Sequence, residues 1–366
     1  MHVKTIVALG NSTQLTNRSL ICTRRRFFSV GLNSLLFAGI IPELIHAGES
    51  PFQVKKEKSG PNQPRDSTRY ERKFPIFGTV GSIILNHHSS KEASRAIDLV
   101  IKNLELVENI LSLYLPTSEI CRLNRDGSIN NPHPYLLEVV HKARELSEMT
   151  EGAFDITVQP LWELKARARK TGIIPSETDL DAARSKVNWR NLEIHNDWIR
   201  LLKPGMAITL NALAQGFAVD RALSILRKNG IQNALINAGE IGAIGFKEEG
   251  KAWSLGIQHP RHPNAYASLV SLTDCCMATS GDYATSFDQK FTENHIFDPL
   301  TGKSPGELAS VTVISPSCID ADGLSTAIMV LGVEKGLNLL TKFAGTEALL
   351  ITKKERMIAT TKFPGS

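Results

Sequence analysis

Residues 278–326 hold the densest set of side chains that could do chemistry. His295 lies in the run HIFDPLTG, and Asp322, Ser325 and Thr326 follow in DADGLSTAIMVLG. Residues four positions apart share one face of a helix, so the spacing predicts that Asp322 and Thr326 point the same way. Carboxylate and hydroxyl oxygens suit Mg²⁺, which keeps several positions for water or substrate phosphates. The spacing therefore predicts a magnesium site beside a histidine.

Each of these residues also has a purely structural interpretation. An Asp that precedes an apolar run often caps a helix, because its side chain accepts an unpaired backbone N–H. His295 could be a hydrogen-bonded histidine at the end of a strand. These alternatives stay open at the level of single residues, and only the wider pattern can decide between them.

Composition and charge limit the class of protein. The chain has 366 residues, of which 42% are hydrophobic and 22% charged, and this is ordinary for a globular protein. Residues 1–47 hold a net charge of +4 out of the formal +5, which leaves only +1 for the rest. The remainder gives no electrostatic basis for binding nucleic acid, so we expect no nucleic-acid partner.

The N-terminal segment has the features of an export signal. The run TRRRFF contains a twin-arginine pair, and residues 30–41 form an apolar stretch before a possible cleavage site after Ala47. About a dozen apolar residues are too few for a membrane-spanning helix. The twin-arginine route carries folded proteins, so we expect a periplasmic location. An uncleaved anchor is the alternative, and membrane contact is otherwise expected only through a partner.

The rest of the chain divides into a linker and one domain. Residues 48–73 are polar and rich in Lys, Ser, Pro and Arg, which predicts a disordered linker. The domain is expected over residues 74–366. Its cysteines lack metal-ligand spacing, so we expect buried small side chains, with one disulfide possible in an oxidising compartment. These cysteines are Cys121, Cys275, Cys276 and Cys318.

Hydrophobic periodicity predicts an α+β fold. A strand is expected near residues 75–87, amphipathic helices over 91–113 and 134–150, and a loop leading into a helix over 211–230. The runs after residue 230 alternate as strands joined by short connections, which indicates largely antiparallel sheets with packed helices. Neither GxGxxG nor GxxxxGK[ST] occurs, so a Rossmann or P-loop nucleotide site is not expected.

The order of several motifs resembles the ApbE family of FAD:protein FMN transferases. Over residues 77–352 the chain carries GAFDITVQPL, NALAQGFAVDRA, INAGEIGAIG, ATSGDY, HIFDPLTG, SVTVIS and DADGLSTAIMVLG. The resemblance implies a single catalytic domain of the ApbE-like (T-fold-like) type. The Gln form of ALAQG and the twin-arginine signal resemble the NosX-type branch of the family, which is associated with nitrous oxide respiration.

The resemblance implies Mg²⁺-dependent transfer of FMN from FAD to a Ser or Thr hydroxyl of an acceptor flavoprotein, with release of AMP. His295 matches the family's histidine and would serve as the base that a weakly nucleophilic hydroxyl needs. The implied metal ligands are the carbonyl of Ala212 and the side chains of Asp322, Ser325 and Thr326. The implied FAD contacts are Phe77, Tyr114, Ala153, Phe154, Asp155, Thr209, Gln215 and Phe297.

The chain departs from the family pattern at Phe77, where Met is usual, and at three positions with a chemical consequence. Thr209 replaces an Asp, Gln215 replaces a Lys, and Ser325 stands where some members have Asp. These changes remove charges from the implied site, so we expect weaker binding of FAD or Mg²⁺. Two other functions are therefore kept open: an FAD pyrophosphatase, and an assembly protein that binds FAD without turnover. The expected acceptor carries an FMN-binding domain, and a NosR-like protein is the candidate that the NosX resemblance suggests.

Overall fold

The computed structural model describes residues 67–247 and 250–365. The predicted signal, residues 1–47, and residues 48–66 of the predicted linker lie outside the described residues. The strands are β1 Thr68–Ile76, β2 Thr79–His87, β3 Ser128–Asn130, β4 Leu192–Ile194, β5 Trp198–Leu201, β6 Ala234–Asn237, β7 Ile241–Ile244, β8 Trp253–Gln258, β9 Tyr266–Leu272, β10 Cys276–Gly281, β11 Leu308–Ser315, β12 Glu347–Thr352 and β13 Met357–Ala359. The helices are α1 Ser90–Leu111, α2 Glu119–Asp126, α3 Pro134–Met149, α4 Gln159–Thr171, α5 Glu177–Arg184, α6 Ala214–Lys228 and α7 Cys318–Leu340.

The strands form one large sheet and two small ones. The large sheet has eight strands in the order β1-β2-β6-β7-β10-β11-β12-β13, beside the sheets β3-β5-β4 and β8-β9. Every strand pairing within the described residues is antiparallel. The predicted α+β fold with antiparallel sheets and packed helices is therefore confirmed.

The large sheet separates two apolar layers. Successive strand residues point to opposite faces, so Ile83 and Leu85 join the main core under the helices while Ile84 joins a second cluster with the β8–β9 hairpin. Helix α7 packs against β10, β11 and α6 in the main core. The sheet thus holds the start of α7 beside β10 and α6.

The first strand begins earlier than predicted. The polar composition predicts a linker up to residue 73 with one strand after it, but β1 starts at Thr68 and pairs along its whole length with β2. Phe77 and Gly78 form the turn between them with positive φ angles of 47° and 72°. The charged residues of TRYERKF resemble a linker because β1 lies at the edge of the sheet, where only alternate side chains are buried.

The segment after Asp155 contains a helix that the sequence pattern does not predict. The Phe154-Asp155 pair has the pattern of a Gly-led turn, and α4 begins soon after it at Gln159, with Pro160 in its first turn. Only Gln159, Pro160 and Leu161 of α4 are buried, so the helix lacks the apolar stripe that periodicity detects. The run WIRLLKPGMAITL has the pattern of two strands around a Pro-Gly turn, but only the first, β5, forms, and residues 206–210 are irregular backbone.

Helix α7 is the most apolar helix of the described chain. It is the one described helix long and apolar enough to cross a membrane, with a mean hydropathy of 1.2. Most of its first half is buried against the sheet, which accounts for that composition in a packed core helix. The helix is interrupted at Gly332, where φ is 78°, and the carboxylate of Glu307 accepts the next backbone N–H, from Val333, at 3.1 Å.

The four cysteines of the described chain are free. Cys276 and Cys318 are buried, as predicted for small apolar side chains, while Cys121 and Cys275 are partly exposed. The disulfide that the sequence left open does not form among them.

Candidate active site

An oxygen-rich corner forms where β10, α6 and α7 meet. The Oγ of Ser280, near the end of β10, lies 2.7 Å from the Ser325 Oγ and 2.9 Å from the Thr326 Oγ1. The Ser325 hydroxyl donates to the backbone carbonyl of Asp322 at 2.8 Å, so the Ser280 hydroxyl is the donor to Ser325 and accepts from Thr326. The predicted triad of Asp322, Ser325 and Thr326 therefore lies on one face of α7 and is joined by a serine from the sheet.

Gly216 brings α6 into contact with this corner. Its backbone N–H donates to the Asp322 Oδ2 at 2.9 Å. A Cβ atom at position 216 would overlap the carbonyl oxygen of Cys318 and lie 2.8 Å from the Asp322 Cβ, so this approach requires glycine. Because the Gly216 N–H bonds to the carboxylate, it is not donated to the carbonyl of Ala212. Ala212 itself lies two residues before the start of α6.

Two buried carboxyl groups, those of Asp322 and Glu240, lie near this corner and interact electrostatically. Burial raises the pKa of Asp322 to about 7; the hydrogen bond from Gly216 opposes this shift, and the charge of Asp220 adds to it. Burial also raises the pKa of Glu240 well above its usual range, and the charge of Asp322 adds to that shift. Glu240 is 6% exposed and accepts the backbone N–H of Thr279. Such a pair is stabilised by a cation, and its hard oxygens fit Mg²⁺.

Sequence reasoning missed Ser280 and Glu240 as site residues. Both lie inside motifs that carry the family resemblance, ATSGDY and NAGEIG, so the signal was present. Neither motif shows by itself which of its residues lies near α7, because the residues involved are tens of positions apart in the chain. Asp220, in the α6 motif, has another role: its carboxylate accepts the N–H groups of Cys318 and Ile319 at 2.8 and 2.9 Å and so caps α7.

His295 lies in the loop between β10 and β11. Its backbone N–H and its Nδ1 are 3.0 and 3.2 Å from the carbonyl oxygen of Thr285. A carbonyl only accepts, so Nδ1 carries the hydrogen and Nε2 keeps its lone pair. Burial lowers the pKa of His295 to about 4, and the Thr285 hydrogen bond opposes that shift. The imidazole is therefore neutral near pH 7 and able to accept a proton at Nε2.

A buried ion pair anchors the start of this loop. Both guanidinium nitrogens of Arg261 bind the carboxylate of Asp282, each at 2.8 Å, and Asp282 is fully buried. Arg261 also stacks over the ring of Phe291, with 4.5 Å from its guanidinium carbon to the ring centroid. The Nζ of Lys353 donates to the Phe291 carbonyl at 2.7 Å. These contacts tie the His295 loop to the β8–β9 hairpin and to the end of β12.

The side-chain carboxylate of Asp155 stabilises the Phe154-Asp155 turn. Asp155 Oδ1 accepts from the Thr157 N–H and hydroxyl at 2.8 and 2.7 Å, and Oδ2 accepts from the Trp189 N–H at 2.9 Å. The Thr209 N–H donates to the Ile156 carbonyl at 2.8 Å, so two segments implied to bind FAD lie side by side. In this arrangement Asp155 shapes the turn. Ala153 next to it is partly exposed, whereas Phe154 is buried.

The other residues implied to bind FAD lie in different surroundings. Phe77 is buried at the β1–β2 turn, and Tyr114 is 54% exposed just after α1. The side-chain amide of Gln215 packs so closely on Gly239 that no Cβ could fit there. Phe297 is buried in an apolar cluster with Leu161, apart from the oxygen-rich corner. The structure thus groups the side-chain oxygens of α7 with Ser280, and it places the three aromatic residues in separate surroundings.

The arrangement is suited to chemistry on an anionic substrate. A cluster of hard oxygens can hold a divalent cation, and a neutral imidazole can take a proton from a hydroxyl. The oxygens lie on α7 and near the end of β10, and His295 lies in a loop supported by the sheet, where catalytic groups are commonly placed.

Comparison with known proteins identifies the family and the enzymatic class of the chain. The family model of the ApbE family matches residues 77–350. The chain belongs to the ApbE family, and its enzymatic class is that of a transferase. The resemblance seen in the motifs is therefore confirmed.

Individual relatives agree with this assignment. The chain is 32% identical over 276 residues to the FAD:protein FMN transferase of Vibrio cholerae, and the match covers 72% of this chain and 81% of the relative. It is 29% identical over 280 residues to the FAD:protein FMN transferase of Escherichia coli K12, and that match covers 72% of this chain and 79% of the relative. The solved flavin transferase ApbE from Vibrio cholerae superposes with a TM-score of 0.69 at 28% identity, covering 81% of this chain and 98% of that one. The apo flavinyl transferase ApbE of Pseudomonas stutzeri gives 0.69 at 30% identity, covering 81% and 95%.

Proposed function

We propose that the protein is a Mg²⁺-dependent FAD:protein FMN transferase that moves FMN from FAD to a Ser or Thr hydroxyl of an acceptor flavoprotein and releases AMP. The observation that carries the proposal is a neutral His295, with its Nδ1 on the Thr285 carbonyl, together with the clustered oxygens of Asp322, Ser325, Thr326 and Ser280. Family membership and the activity named for the relatives support it.

The proposed reaction is a phosphoryl-type transfer. The acceptor hydroxyl oxygen attacks the FMN phosphorus, the bond from that phosphorus to the AMP oxygen breaks, and the hydroxyl proton passes to Nε2 of His295. Thr285 keeps Nδ1 protonated, so Nε2 is the nitrogen that can receive it. Mg²⁺, held by Asp322, Thr326, Ser325 and the Ala212 carbonyl, would neutralise charge on the pyrophosphate.

The binding of FAD is assigned to the residues that the family resemblance implies. The Phe154-Asp155 turn and Thr209 form one wall, because Thr209 is hydrogen-bonded to the residue after Asp155. Tyr114 has an exposed ring that could stack on a flat ring system, and Gln215 offers an amide where the family has Lys. Phe77 and Phe297 support the site from buried positions.

The cellular setting is part of the same proposal. The twin-arginine run supports export to the periplasm, and the acceptor would be a flavoprotein with an FMN-binding domain facing that compartment. The resemblance to the NosX-type branch favours a NosR-like membrane flavoprotein as this acceptor.

The test is a mass measurement on the acceptor. The purified protein is incubated with FAD, Mg²⁺ and an isolated FMN-binding domain that carries a Ser or Thr acceptor, and the acceptor is weighed by intact mass spectrometry. We expect the gain of one FMN, abolished by EDTA and by His295→Ala. His262→Ala is the matched control, since this exposed histidine lies outside the site, and it should transfer as the wild type does.

Two other results would contradict the proposal and identify what replaces it. Consumption of FAD to FMN and AMP with no change in acceptor mass would indicate a pyrophosphatase, in which water takes the place of the hydroxyl. Tight FAD binding with no turnover, repeated with a second acceptor, would indicate an assembly protein. In that case the charge lost at Thr209 and Gln215 would be the first explanation to test.

A further inference from the structure

The connection between α4 and α5, residues 171–176, exposes two adjacent isoleucines. Ile173 is 70% exposed and Ile174 is 89% exposed. Burying an aliphatic side chain of this size is worth about 1.5–3 kcal/mol, so the pair is a strong potential contact for another molecule. We call residues 171–176 the α4–α5 tip.

The α4–α5 tip is held at both ends. Gly172 closes α4 in the left-handed conformation, with φ at 72°. Ser176 opens α5 in a capping box with Asp179, in which each side chain accepts from the other residue's backbone N–H. Pro175 restricts Ile174 to extended backbone. The two isoleucines are therefore presented on a short, braced connection, which lowers the entropy lost when a partner covers them.

The α4–α5 tip lies close to the catalytic loop. In the last turn of α4, Arg169 donates to the Ser286 carbonyl at 3.4 Å, and the preceding residue, Thr285, binds His295. Further back on α4, Lys165 forms an ion pair with Glu293 at 2.7 Å, and Glu293 lies two positions before His295 in the sequence. Helix α4 therefore runs along the loop that holds the proposed base.

The surface around the tip is basic. Residues 159–176 contain four basic residues against Glu163, a net charge of +3. Arg167, Arg169 and Lys170 are exposed in the half of α4 nearest the tip. A partner that covers the isoleucines would meet this charge with acidic side chains at its rim.

We infer that the α4–α5 tip, with the basic half of α4, is the docking surface for the acceptor flavoprotein. The inference rests on the proposed function, because an enzyme that modifies a hydroxyl on another protein must contact that protein beside its catalytic groups. FAD, the small-molecule substrate, has no need of an exposed apolar tip. The acceptor is expected to offer an apolar depression with an acidic rim next to its Ser or Thr.

The experiment compares acceptor kinetics in two variants. The double variant Ile173→Ser/Ile174→Ser is tested with the isolated FMN-binding domain as the probe. We expect KM for the acceptor to rise about tenfold or more, with kcat at saturating acceptor and the Kd for FAD unchanged. Leu269→Ser is the matched control: Leu269 is 52% exposed on β9, in the β8–β9 hairpin, and its loss should leave KM unchanged.

Changing the charge of the same surface provides a second test. Lys170→Glu should also raise KM for the acceptor above the wild-type value. The acceptor KM of the wild type should increase with NaCl concentration. Unchanged acceptor KM in the isoleucine variant, or an equal rise in Leu269→Ser, would overturn the inference. Failure of the wild type to modify any acceptor would instead count against the proposed function, so the two failures are distinguishable. All four substituted positions are exposed, and the Tm values of the three variants should match that of the wild type.

Discussion

The backbone N–H of Gly216 donates to the Oδ2 of Asp322 at 2.9 Å, and this hydrogen bond joins α6 to α7 at the candidate metal site. The two residues lie more than one hundred positions apart in the chain. Their approach depends on the missing side chain of Gly216, since the backbone of Cys318 occupies the space that a Cβ would need.

Gly216→Ala should therefore separate the two helices. Overpacking of a well-filled interior costs about 1–3 kcal/mol, so we expect a lower free energy of unfolding and weaker Mg²⁺ binding. Urea denaturation and calorimetric Mg²⁺ titration measure the two effects. Gly306→Ala is the control, because a Cβ at Gly306 meets nothing within 4 Å. Equal stability of the two variants would contradict the packing argument.

Mg²⁺ affinity should depend on pH through Asp322. Burial raises the pKa of this carboxyl from 3.8 to about 7, and the metal must displace its proton. We expect affinity to weaken by about tenfold for each pH unit below 7. In the metal-free protein the folded state binds this proton more tightly than the unfolded chain does. The contribution of Asp322 to the free energy of unfolding should therefore fall as pH rises from about 4 to about 7.

Isothermal titration with Mg²⁺ at several pH values between 5.5 and 8 checks the affinity. Asp322→Asn should bind Mg²⁺ weakly and show little change over that range. A wild-type affinity that does not vary with pH would show that the carboxyl is already ionised before the metal binds.

His295 should stay neutral well below the pH at which a free histidine becomes charged. Burial lowers its pKa to about 4, so protonation inactivates the base only in more acidic solution. We expect its imidazole ¹⁵N shifts to report the neutral Nδ1–H form at pH 6, with the His295→Ala spectrum giving the assignment. A titration of the wild-type resonance near pH 6.5 would contradict this, and it would place the base in a more solvated setting.

Asp282→Asn should loosen the loop that carries His295. Breaking a buried ion pair by removing one partner costs about 3–5 kcal/mol, because Arg261 is left without its carboxylate. We expect a large fall in the free energy of unfolding in urea, together with slower FMN transfer. Glu138→Gln, which breaks the partly exposed pair with Arg221, is the comparison and should cost less than about 1 kcal/mol. Similar losses in the two variants would show that burial does not strengthen the Asp282 pair.

The local hydrophobic pattern of the sequence predicted much of the fold but missed the elements that bury few apolar side chains. The apolar stripes of α1, α3 and α6 were visible because each helix buries one face. The same rule failed for α4, which buries little beyond its first turn, and for β1, whose charged residues lie at a sheet edge. A periodicity rule detects burial, so elements with little burial escape it.

The sequence by itself determined the family and the α7 oxygens. Motif order identified the family, and helical spacing alone put Asp322 and Thr326 on one face, since that relation is local. Only the tertiary structure decided that Ser280 meets Ser325, that Glu240 accepts the N–H of Thr279 and that Arg261 binds Asp282. Those contacts join distant segments through sheet order and helix packing, which no local spacing encodes. The tertiary structure also set the protonation of His295, because the pKa depends on what surrounds the ring.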